Sequence, residues 1–470
     1  MIFASDMSLT FVSQSKERPS IFSVDLFKAI LTVALPVTLQ TILFSSKGLI
    51  DLVMIGQLTE QNIAAIGVAS RALFVATIFL AGVTAGGAML TAQYFGAKDQ
   101  GGVTRSTALT WAMATVAALV PLCAFQFYGD AIMGLSTNSV EIIALGEQYL
   151  KVSGWSLFAV AFVGSVAAGL RAMHQAALST WFSGLGIVLN VAFNWLLIFG
   201  HFGFPELGLK GAAIATVISS LLEVAAISLF LKLKAHPLRF GRQELKNALQ
   251  WQFIRPFFSL SMPTTINFLA WSGGLFAYTA IMGQTGEAGL VVLSVITPIE
   301  AFSLSFLTGI ANASAVIVGN QLGANKPDLA YAQAKGFTVI AIGVTLLVSV
   351  SLWFMQSSVL DLFTALSAET RQMAEQFYLI LCVGILLRSL PTLMVVGVLR
   401  AGGDVKFCLY QDLSTQWLFG IPLAALGAMV FGFTAPVVFA MFFLETLFKW
   451  VACLYRFRSR KWMNCLIKEG

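Results

Sequence analysis

The stretch Ile340 to Ser351, IAIGVTLLVSVS, is apolar apart from small Gly, Thr and Ser residues and shows no alternation of apolar and polar positions. A membrane-spanning strand would alternate at every second residue, so this stretch indicates a helix within a bilayer. The whole chain has the same character, because 58% of its 470 residues are hydrophobic and 11% are charged, with a mean hydropathy of +0.84. A soluble protein would carry about 25% charged residues, so a water-soluble fold is excluded.

Similar apolar segments recur along the chain at lengths that suit a bilayer, which needs about 20 residues of helix. The predicted spans are residues 27–54, 63–93, 103–126, 142–168, 178–200, 211–232, 253–282, 290–320, 336–356, 374–397, 407–431 and 434–455. The predicted fold class is therefore an all-α integral membrane protein with twelve transmembrane helices.

Basic residues are concentrated in the N-terminal tail, the even-numbered loops and the C-terminal end, where Lys449 is counted with the basic tail. These segments hold 22 of the 28 Lys and Arg residues, and the positive-inside rule makes them cytoplasmic. We predict a multi-pass plasma-membrane protein, in the inner membrane if bacterial, with both termini cytoplasmic. The net charge of +6 is then mainly a topology signal, and no nucleic-acid partner is predicted.

An internal repeat emerges when the second half of the chain is aligned with the first. The matching pairs include Pro36 with Pro263, Gly82 with Gly309, Gly96 with Gly323, and Arg171 with Arg400, and the offset between partners grows only slightly along the unit. Each unit holds six spans, so the two halves enter the membrane in the same direction. We predict two pseudo-symmetric six-helix lobes around a central cavity, an arrangement typical of alternating-access transporters.

The repeat also predicts how the chain is divided. The segments are an N-terminal tail (1–26), a first lobe (27–232), a cytoplasmic connector (233–252), a second lobe (253–455) and a basic tail (456–470). The five cysteines are scattered without metal-ligand spacing, so no metal site is predicted.

Ionisable residues inside the spans are functional candidates, because a charge at mid-bilayer costs at least about 2.5 kcal/mol. Asp51 in span one stands first, since a carboxylate in an apolar cavity can exchange a proton or ligate a cation. Pro36 on the same span is a candidate hinge. Lys47 shares a helix face with Asp51, and two interpretations stay open: an ion pair that neutralises both groups, or a switch in which protonation of Asp51 frees Lys47.

Asn190 and Asn194 share a face of span five. Their amides are suited to ligating a cation or hydrogen-bonding a carboxylate, and bonding between helices is the alternative. Thr216 on span six is a weaker candidate, because a membrane Thr often bonds its own helix backbone.

In the second lobe Glu300 is the foremost carboxylate, and Arg388 either neutralises a carboxylate or attracts anionic cargo. Glu300 and Arg388, with Lys47 of the first lobe, are candidate substrate-binding residues. Trp271 and Tyr278 are candidates for an adaptable aromatic wall around cargo. For Glu445, toward the end of span twelve, we expect snorkelling or pairing with a nearby Lys.

Several local motifs carry a family resemblance over nearly the whole chain. They are DLVMIG (51–56), QYFGAKD (93–99) with its counterpart NQLGANK (320–326), NVAFNWLLIFGHFGFPELGLKGAAIAT (190–216), VLRAGGD (398–404) and QWLFGIP (416–422). Together with the duplication, they resemble the multidrug and toxic compound extrusion (MATE) family of secondary transporters, in particular its NorM-type branch. The resemblance implies export of organic cations or amphipathic drugs in exchange for protons or sodium, with no cofactor beyond the coupling ion. We expect a monomer whose partners are small molecules and membrane lipid.

The resemblance also implies roles for individual residues. Asp51 would be the coupling residue, with polar partners at Asn190, Asn194 and Thr216, where Asn194 replaces an acid found in some relatives. Trp271 and Ser389 stand where NorM-type proteins place cation-binding acids, which favours protons acting at Asp51. Lys47 is unusual beside that acid.

Three alternatives are weighed against this function. ATP-driven transport would require a GxxxxGK[ST] loop, which does not occur in the chain. An intramembrane enzyme is disfavoured, because there is no paired-acid loop or HExxH motif. The nearer alternative is a flippase for lipid-linked saccharides, whose cavity would be strongly cationic to hold pyrophosphate. Here the intramembrane cations Lys47, Arg71 and Arg388 are balanced by acids.

Overall fold

The structure is a computed structural model that describes residues 24–55, 57–361 and 367–467, and every regular element in these ranges is helical. The helices are α1 (Val24–Ile55), α2 (Glu60–Gly96), α3 (Gln100–Phe127), α4 (Gly129–Gly134), α5 (Val140–Ser153), α6 (Ser156–Ala172), α7 (Ala176–Phe199), α8 (Gly208–Leu233), α9 (Arg242–Ala248), α10 (Trp251–Gly283), α11 (Glu287–Gly323), α12 (Pro327–Leu360), α13 (Ala368–Ala401), α14 (Val405–Asp412, Leu413–Gly420 and Ile421–Met429), α15 (Ala435–Met441) and α16 (Leu444–Arg458). Within α13 and α14 the segments Leu393–Val398 and Leu413–Gly420 are π-helical.

The helices follow the predicted spans closely. Nine of the described helical segments are long and apolar enough to cross a bilayer, and α5 with α6 forms a tenth that is bent by 46°. The helices α10 and α14 lie at predicted spans seven and eleven, and with them the described residues contain twelve spans. They are less apolar because they carry buried polar side chains such as Asn267 and Asp412. The twelve-helix, all-α prediction is confirmed.

The repeat reappears as paired contacts between the lobes, where α1 packs on α11 and α2 packs on α10. A Cβ added to Gly82 would lie 2.5 Å from Thr265 Cα, and one added to Gly309 would overlap Thr38 Oγ1. Because the repeat matches Gly82 with Gly309 and Thr38 with Thr265, the two contacts are pseudo-symmetry equivalents. Glycine permits the close approach of helices that drives their association in a membrane.

A second pair of equivalent contacts joins the lobes at the end of the bundle that holds the connector, called here the connector face. A Cβ on Gly96 would overlap the backbone carbonyl of Asn320, and one on Gly323 would overlap that of Gln93. The Gln93 Nε2 donates to Ala401 O at 3.0 Å. The two lobes are therefore in direct backbone contact at this face.

The C-terminal segment 459–467 adds to this closure. Gln93 Nε2 also donates to Asn464 O at 3.1 Å, and Leu466 N donates to Gln93 Oε1 at 2.6 Å. The Trp462 side chain is fully buried, and its ring stacks on Phe457. The tail thus packs into the bundle as far as the described residues extend.

Candidate ion-coupling site

Asp51 lies in the last turn but one of α1, and its side chain is half-buried among the helices of the first lobe. Asn194 Nδ2 on α7 donates to Asp51 Oδ1 at 2.6 Å. This bond connects the first and fifth spans, which are 143 residues apart in sequence. It is a charge-assisted hydrogen bond when Asp51 is ionised, a type about twice as strong as a neutral one.

The polar chain continues from Asn194 to the sixth span. Asn190 Oδ1 lies 3.5 Å from Asn194 Nδ2, and Asn190 Nδ2 donates to Thr216 Oγ1 at 3.3 Å. Thr216 in turn donates to Ala212 O of its own helix at 3.0 Å. The structure thus brings together the four residues named for the coupling site, Asp51, Asn190, Asn194 and Thr216, in a single hydrogen-bonded row across α1, α7 and α8.

One acceptor in this row has no partner. Asn194 is buried, and its Oδ1 makes no hydrogen bond in the structure. A buried amide oxygen without a partner costs about 1–3 kcal/mol, and this one is an acceptor available beside Asp51.

Lys47 lies within electrostatic range of both Asp51 and Glu223, a carboxylate on α8. Among the described residues, no nitrogen–oxygen contact within 4 Å joins Lys47 to either acid. Glu223 packs against Gly186 of α7, and its Oε1 is buried without a partner. Lys47 therefore faces two acids, and the sequence prediction had considered only Asp51 as its partner.

Pro36 lies inside α1, which continues as one helix to Ile55. Its carbonyl accepts a hydrogen bond from Thr180 Oγ1 of α7 at 2.8 Å. One turn later, Gln40 Nε2 donates to Ser183 Oγ at 2.8 Å. The segment around the proline is thus held to α7 by side-chain bonds, and its role as a hinge stays a prediction.

Three of the four candidates of the second lobe are brought together, because Arg388 lies within electrostatic range of Tyr278 and is paired with Glu300. Arg388 on α13 forms an ion pair with Glu300 on α11, and its guanidinium lies 4.8 Å above the Phe443 ring. Of the two roles left open for Arg388, the structure shows neutralisation of a carboxylate. Trp271 is 42% exposed, as a contact surface for cargo requires. Tyr278 is 5% exposed, so its placement does not fit the predicted cargo wall.

A buried ionic cluster in the second lobe was missed as a site. Lys449 of α16 lies between Asp412 of α14 and Glu445 of α16, and Tyr278 donates to Glu445 Oε2 at 2.6 Å. Counting Lys449 with the basic tail was wrong, because it is 9% exposed and paired inside the bundle. Its position four residues after Glu445, the spacing also seen between Lys47 and Asp51, was a usable signal.

A duplicated bundle of twelve spans with buried ionisable centres is the architecture of a secondary transporter. Over the described residues, no three His, Cys, Asp or Glu side chains are grouped to hold a metal ion. The MatE family model matches residues 36–196 and 263–426, and the two matched segments begin at the repeat-related residues Pro36 and Pro263. The chain belongs to this family and is a MATE-family transporter, not an enzyme.

Individual relatives agree with this assignment over almost their whole length. The chain is 24% identical to the uncharacterized transporter YisQ of Bacillus subtilis, over 97% of this chain and 98% of that protein. It is 28% identical to a probable multidrug resistance protein NorM of Bradyrhizobium diazoefficiens, over 92% of this chain and 93% of that protein.

Solved structures share the fold. A multidrug resistance MATE family transporter of the MOP superfamily, described in an outward-facing conformation, superposes with a TM-score of 0.84 at 18% identity, over 96% of this chain and 100% of that one. A MOP superfamily transporter from Pyrococcus furiosus, whose binding pocket is described as having reverse polarity, gives a TM-score of 0.84 at 17% identity, over 97% of this chain and 100% of that one.

Proposed function

We propose that the protein is an antiporter that uses a cation gradient, of protons rather than sodium, to export organic cations or amphipathic drugs by alternating access. The observation that supports a coupling role for Asp51 is its hydrogen bond from Asn194, whose amide oxygen has no partner. This bond joins α1 to α7 and depends on the charge of Asp51.

Protonation of Asp51 would change what its carboxyl group requires. The ionised group accepts from Asn194 Nδ2, whereas the protonated group carries an O–H that needs an acceptor. Rotation of the Asn194 amide would offer its Oδ1 to that proton. A sodium ion would instead need several oxygen ligands around it, and Asp51 is the only acid in the hydrogen-bonded row.

Lys47 would take part in the same step. While Asp51 is ionised, Lys47 lies in the field of two acids, and protonation of Asp51 leaves Glu223 as its remaining counter-charge. The electrostatic balance between α1 and α8 would then change, which supports the switch interpretation of Lys47 over the neutralising pair.

The cargo class is supported by the relatives and by one exposed aromatic residue. A relative covered over 93% of its length is named a probable multidrug resistance protein. The half-exposed Trp271 would offer an indole face to an organic cation, an interaction worth about 0.5–2 kcal/mol. We propose that the protein acts as a monomer in contact with membrane lipid.

The connector face would be cytoplasmic, with the protein in the inner membrane if it is bacterial. The basic residues of the connector and the C-terminal tail support this orientation through the positive-inside rule. Cys465 in the tail is exposed and serves as a reporter. In a Cys123→Ser background, which removes the other exposed cysteine, a membrane-impermeant maleimide should label Cys465 after permeabilisation but not in intact cells, and labelling in intact cells would reverse the orientation.

A flippase for lipid-linked saccharides is not favoured. A pyrophosphate would need cations free to bind it. Arg388 is paired with Glu300, Lys449 is paired with Asp412 and Glu445, and Lys47 lies in the field of the two acids Asp51 and Glu223.

A dye-transport assay in inverted vesicles, in which efflux activity carries dye into the vesicle, tests the proposal. Wild-type efflux should require a proton gradient and persist without sodium, and Asp51→Asn should lose the coupled component. Asp328→Asn makes the same change at a carboxylate that is 84% exposed and should keep full activity. Unchanged coupled efflux in Asp51→Asn would refute the assignment, and efflux that follows sodium alone would refute the choice of ion.

A further inference from the structure

Lys449 is held between two carboxylates at the centre of the second lobe. Its Nζ lies 3.1 Å from Asp412 Oδ1 and 3.0 Å from Glu445 Oε1. The second oxygen of each acid is bonded to α10, where Asn267 Nδ2 donates to Asp412 Oδ2 at 2.7 Å and Tyr278 OH donates to Glu445 Oε2 at 2.6 Å. Each acid thus has one oxygen fixed by a neutral donor and one directed at the ammonium.

The surroundings of this cluster complete its charge balance. Arg400 of α13 donates to Asn267 Oδ1 at 2.5 Å and lies in the field of Asp412. The two acids are therefore matched by two cations, of which Lys449 alone contacts both acids directly.

Part of the cluster occupies the place in the second lobe that the Asp51 centre occupies in the first. The Asn267–Asp412 bond corresponds instead to the Gln40–Ser183 bond of the first lobe, so Lys449 joins two positions that the first lobe keeps separate. The Asp51 centre is built from spans one, five and six, and the Lys449 cluster is built from spans seven, eleven and twelve. In the repeat register that pairs Pro36 with Pro263, Asp51 corresponds to Tyr278. In the register that pairs Arg171 with Arg400, which applies later in the unit, Thr216 corresponds to Glu445. The carboxylate is therefore on the first span of the unit in the first lobe (Asp51) and on the sixth span in the second lobe (Glu445). The corresponding residue on the other of these two spans carries a hydroxyl in both lobes, Thr216 in the first and Tyr278 in the second.

A local irregularity marks the same position. The π-helical segment Leu413–Gly420 begins directly after Asp412. Such segments in α-helices frequently occur at functional sites. Gln416, within this segment, is 2% exposed and has a side-chain oxygen without a hydrogen-bond partner.

We propose that the Lys449 ammonium is the resident cation of a second-lobe ion site formed by Asp412 and Glu445. This site takes up no ion from solution, so the coupling ion acts in the first lobe alone. The inference rests on the proposed ion-coupled function and adds that Lys449 determines how many sites exchange an ion. Stability alone does not account for these ion pairs, because apolar residues of similar volume often stabilise a protein as much as a buried ion pair does. The assignment explains why Lys449 is held between two acids, one of which, Glu445, lies at the position equivalent to Thr216 of the Asp51 row.

Removal of the ammonium should convert the site into one that binds a free cation. In Lys449→Met the two acids keep their donors from α10 but enclose a space with no positive charge. Sodium or potassium would fill it, because two buried carboxylates favour a cation between them. Lys449→Met combined with Asp412→Asn removes one of the two charged ligands and is the matched control.

Thermal unfolding of purified protein in detergent, at constant ionic strength, tests this. In choline chloride Lys449→Met should unfold at a lower temperature than wild type, and NaCl or KCl should raise its midpoint by several degrees in a saturable way. The double variant should lack this response, as should wild type and Lys335→Met, which changes a lysine over the Tyr331 ring. A purely structural lysine predicts equal destabilisation of Lys449→Met in all three salts, which would overturn the proposal.

The wild-type arm keeps the proposal testable if Lys449→Met does not fold. If sodium or potassium raised the unfolding midpoint of the wild type in a saturable way and Asp412→Asn abolished that rise, the proposal would be overturned. A wild-type midpoint that does not respond to these ions supports the proposal. Because the readout is ion-dependent unfolding, the result is independent of dye efflux. Failure of the Asp51→Asn efflux test would therefore refute the proposed function without changing the outcome here.

Discussion

His174 lies at the connector face in the turn between α6 and α7, outside the spans. Its Nε2 is 2.9 Å from the Asn320 side-chain amide of the other lobe, and its ring contacts that of Phe95. With the amide nitrogen directed at Ala92 O, 2.6 Å away, the amide oxygen accepts from His174 Nε2. Burial lowers the pKa of His174 below its usual 6.5, so the folded protein favours the neutral ring.

The sign of the pH effect follows from that shift. Below about pH 6.5 the unfolded chain takes up a proton that folded His174 resists, so stability falls as the pH decreases through this range. We expect the thermal midpoint to fall between pH 7.5 and 5.5, and His174→Gln to reduce that fall. His201→Gln should leave it unchanged, and an equal effect of both variants would contradict the prediction.

Individual residues of the Asp51 row could be singled out from the sequence because spacing and charge are local signals, whereas their grouping with Thr216 was implied only by the family resemblance. Asn190 and Asn194 share a helix face, and Asp51 is an isolated acid in an apolar span. The spacing of Lys449 after Glu445 was a local signal of the same kind, but the contact of Lys449 with Asp412 was not, because Asp412 lies on the preceding span and only tertiary packing brings the two together. The proximity of Glu223 to Lys47 could not be predicted either, because the two residues lie on different spans and come together only in the folded protein.

At the scale of the elements, the crossing of α2 with α10 depends on Gly82. An added Cβ would meet Thr265 Cα at 2.5 Å, and because that atom is backbone, no side-chain rotation relieves the clash. Gly82→Val should therefore destabilise the protein by about 1–3 kcal/mol, as overpacking does. Gly67→Val lies on the same helix with nothing within 4 Å and is the control. Thermal unfolding in detergent measures both, and equal midpoints would refute the role of Gly82.

The positions of the spans followed from the sequence because apolar length is a local signal, whereas the helices extend beyond several predicted spans, as α12 does by nine residues at its start. Asp99 caps α3 by accepting from Gly102 N at 2.8 Å, in the turn that QYFGAKD marks. The 46° bend between α5 and α6 was not predicted, because the two helices together form one segment apolar enough to span a bilayer and hydropathy does not show a change of direction. The π-helical segments of α13 and α14 were missed for a similar reason, since backbone hydrogen-bond pattern is not a hydropathy signal.

At the scale of the whole molecule, the contacts at the connector face define which end of the bundle is closed. Gln93 is fully buried and bonds the second lobe through Ala401 O, and the C-terminal segment through Asn464 O and Leu466 N. Its repeat counterpart Asn320 makes the equivalent backbone contact from the other lobe. Under the alternating access proposed above, the lobes would separate at this face and these bonds would break in each cycle.

Gln93→Leu should weaken this closure without disturbing the rest of the bundle. Each lost hydrogen bond is worth about 0.5–1.5 kcal/mol, and 1.4 kcal/mol corresponds to a tenfold change in an equilibrium. We expect the C-terminal segment to open about tenfold more often, because Leu466 N loses its acceptor. Hydrogen exchange of a peptide that includes Leu466 should accelerate accordingly, while Gln61→Leu, at an exposed position of the same helix, should leave exchange at the wild-type rate. If Gln93→Leu left that exchange unchanged, the Gln93 bonds would not be what holds the connector face closed, and the Gly96 and Gly323 backbone contacts would have to hold it alone.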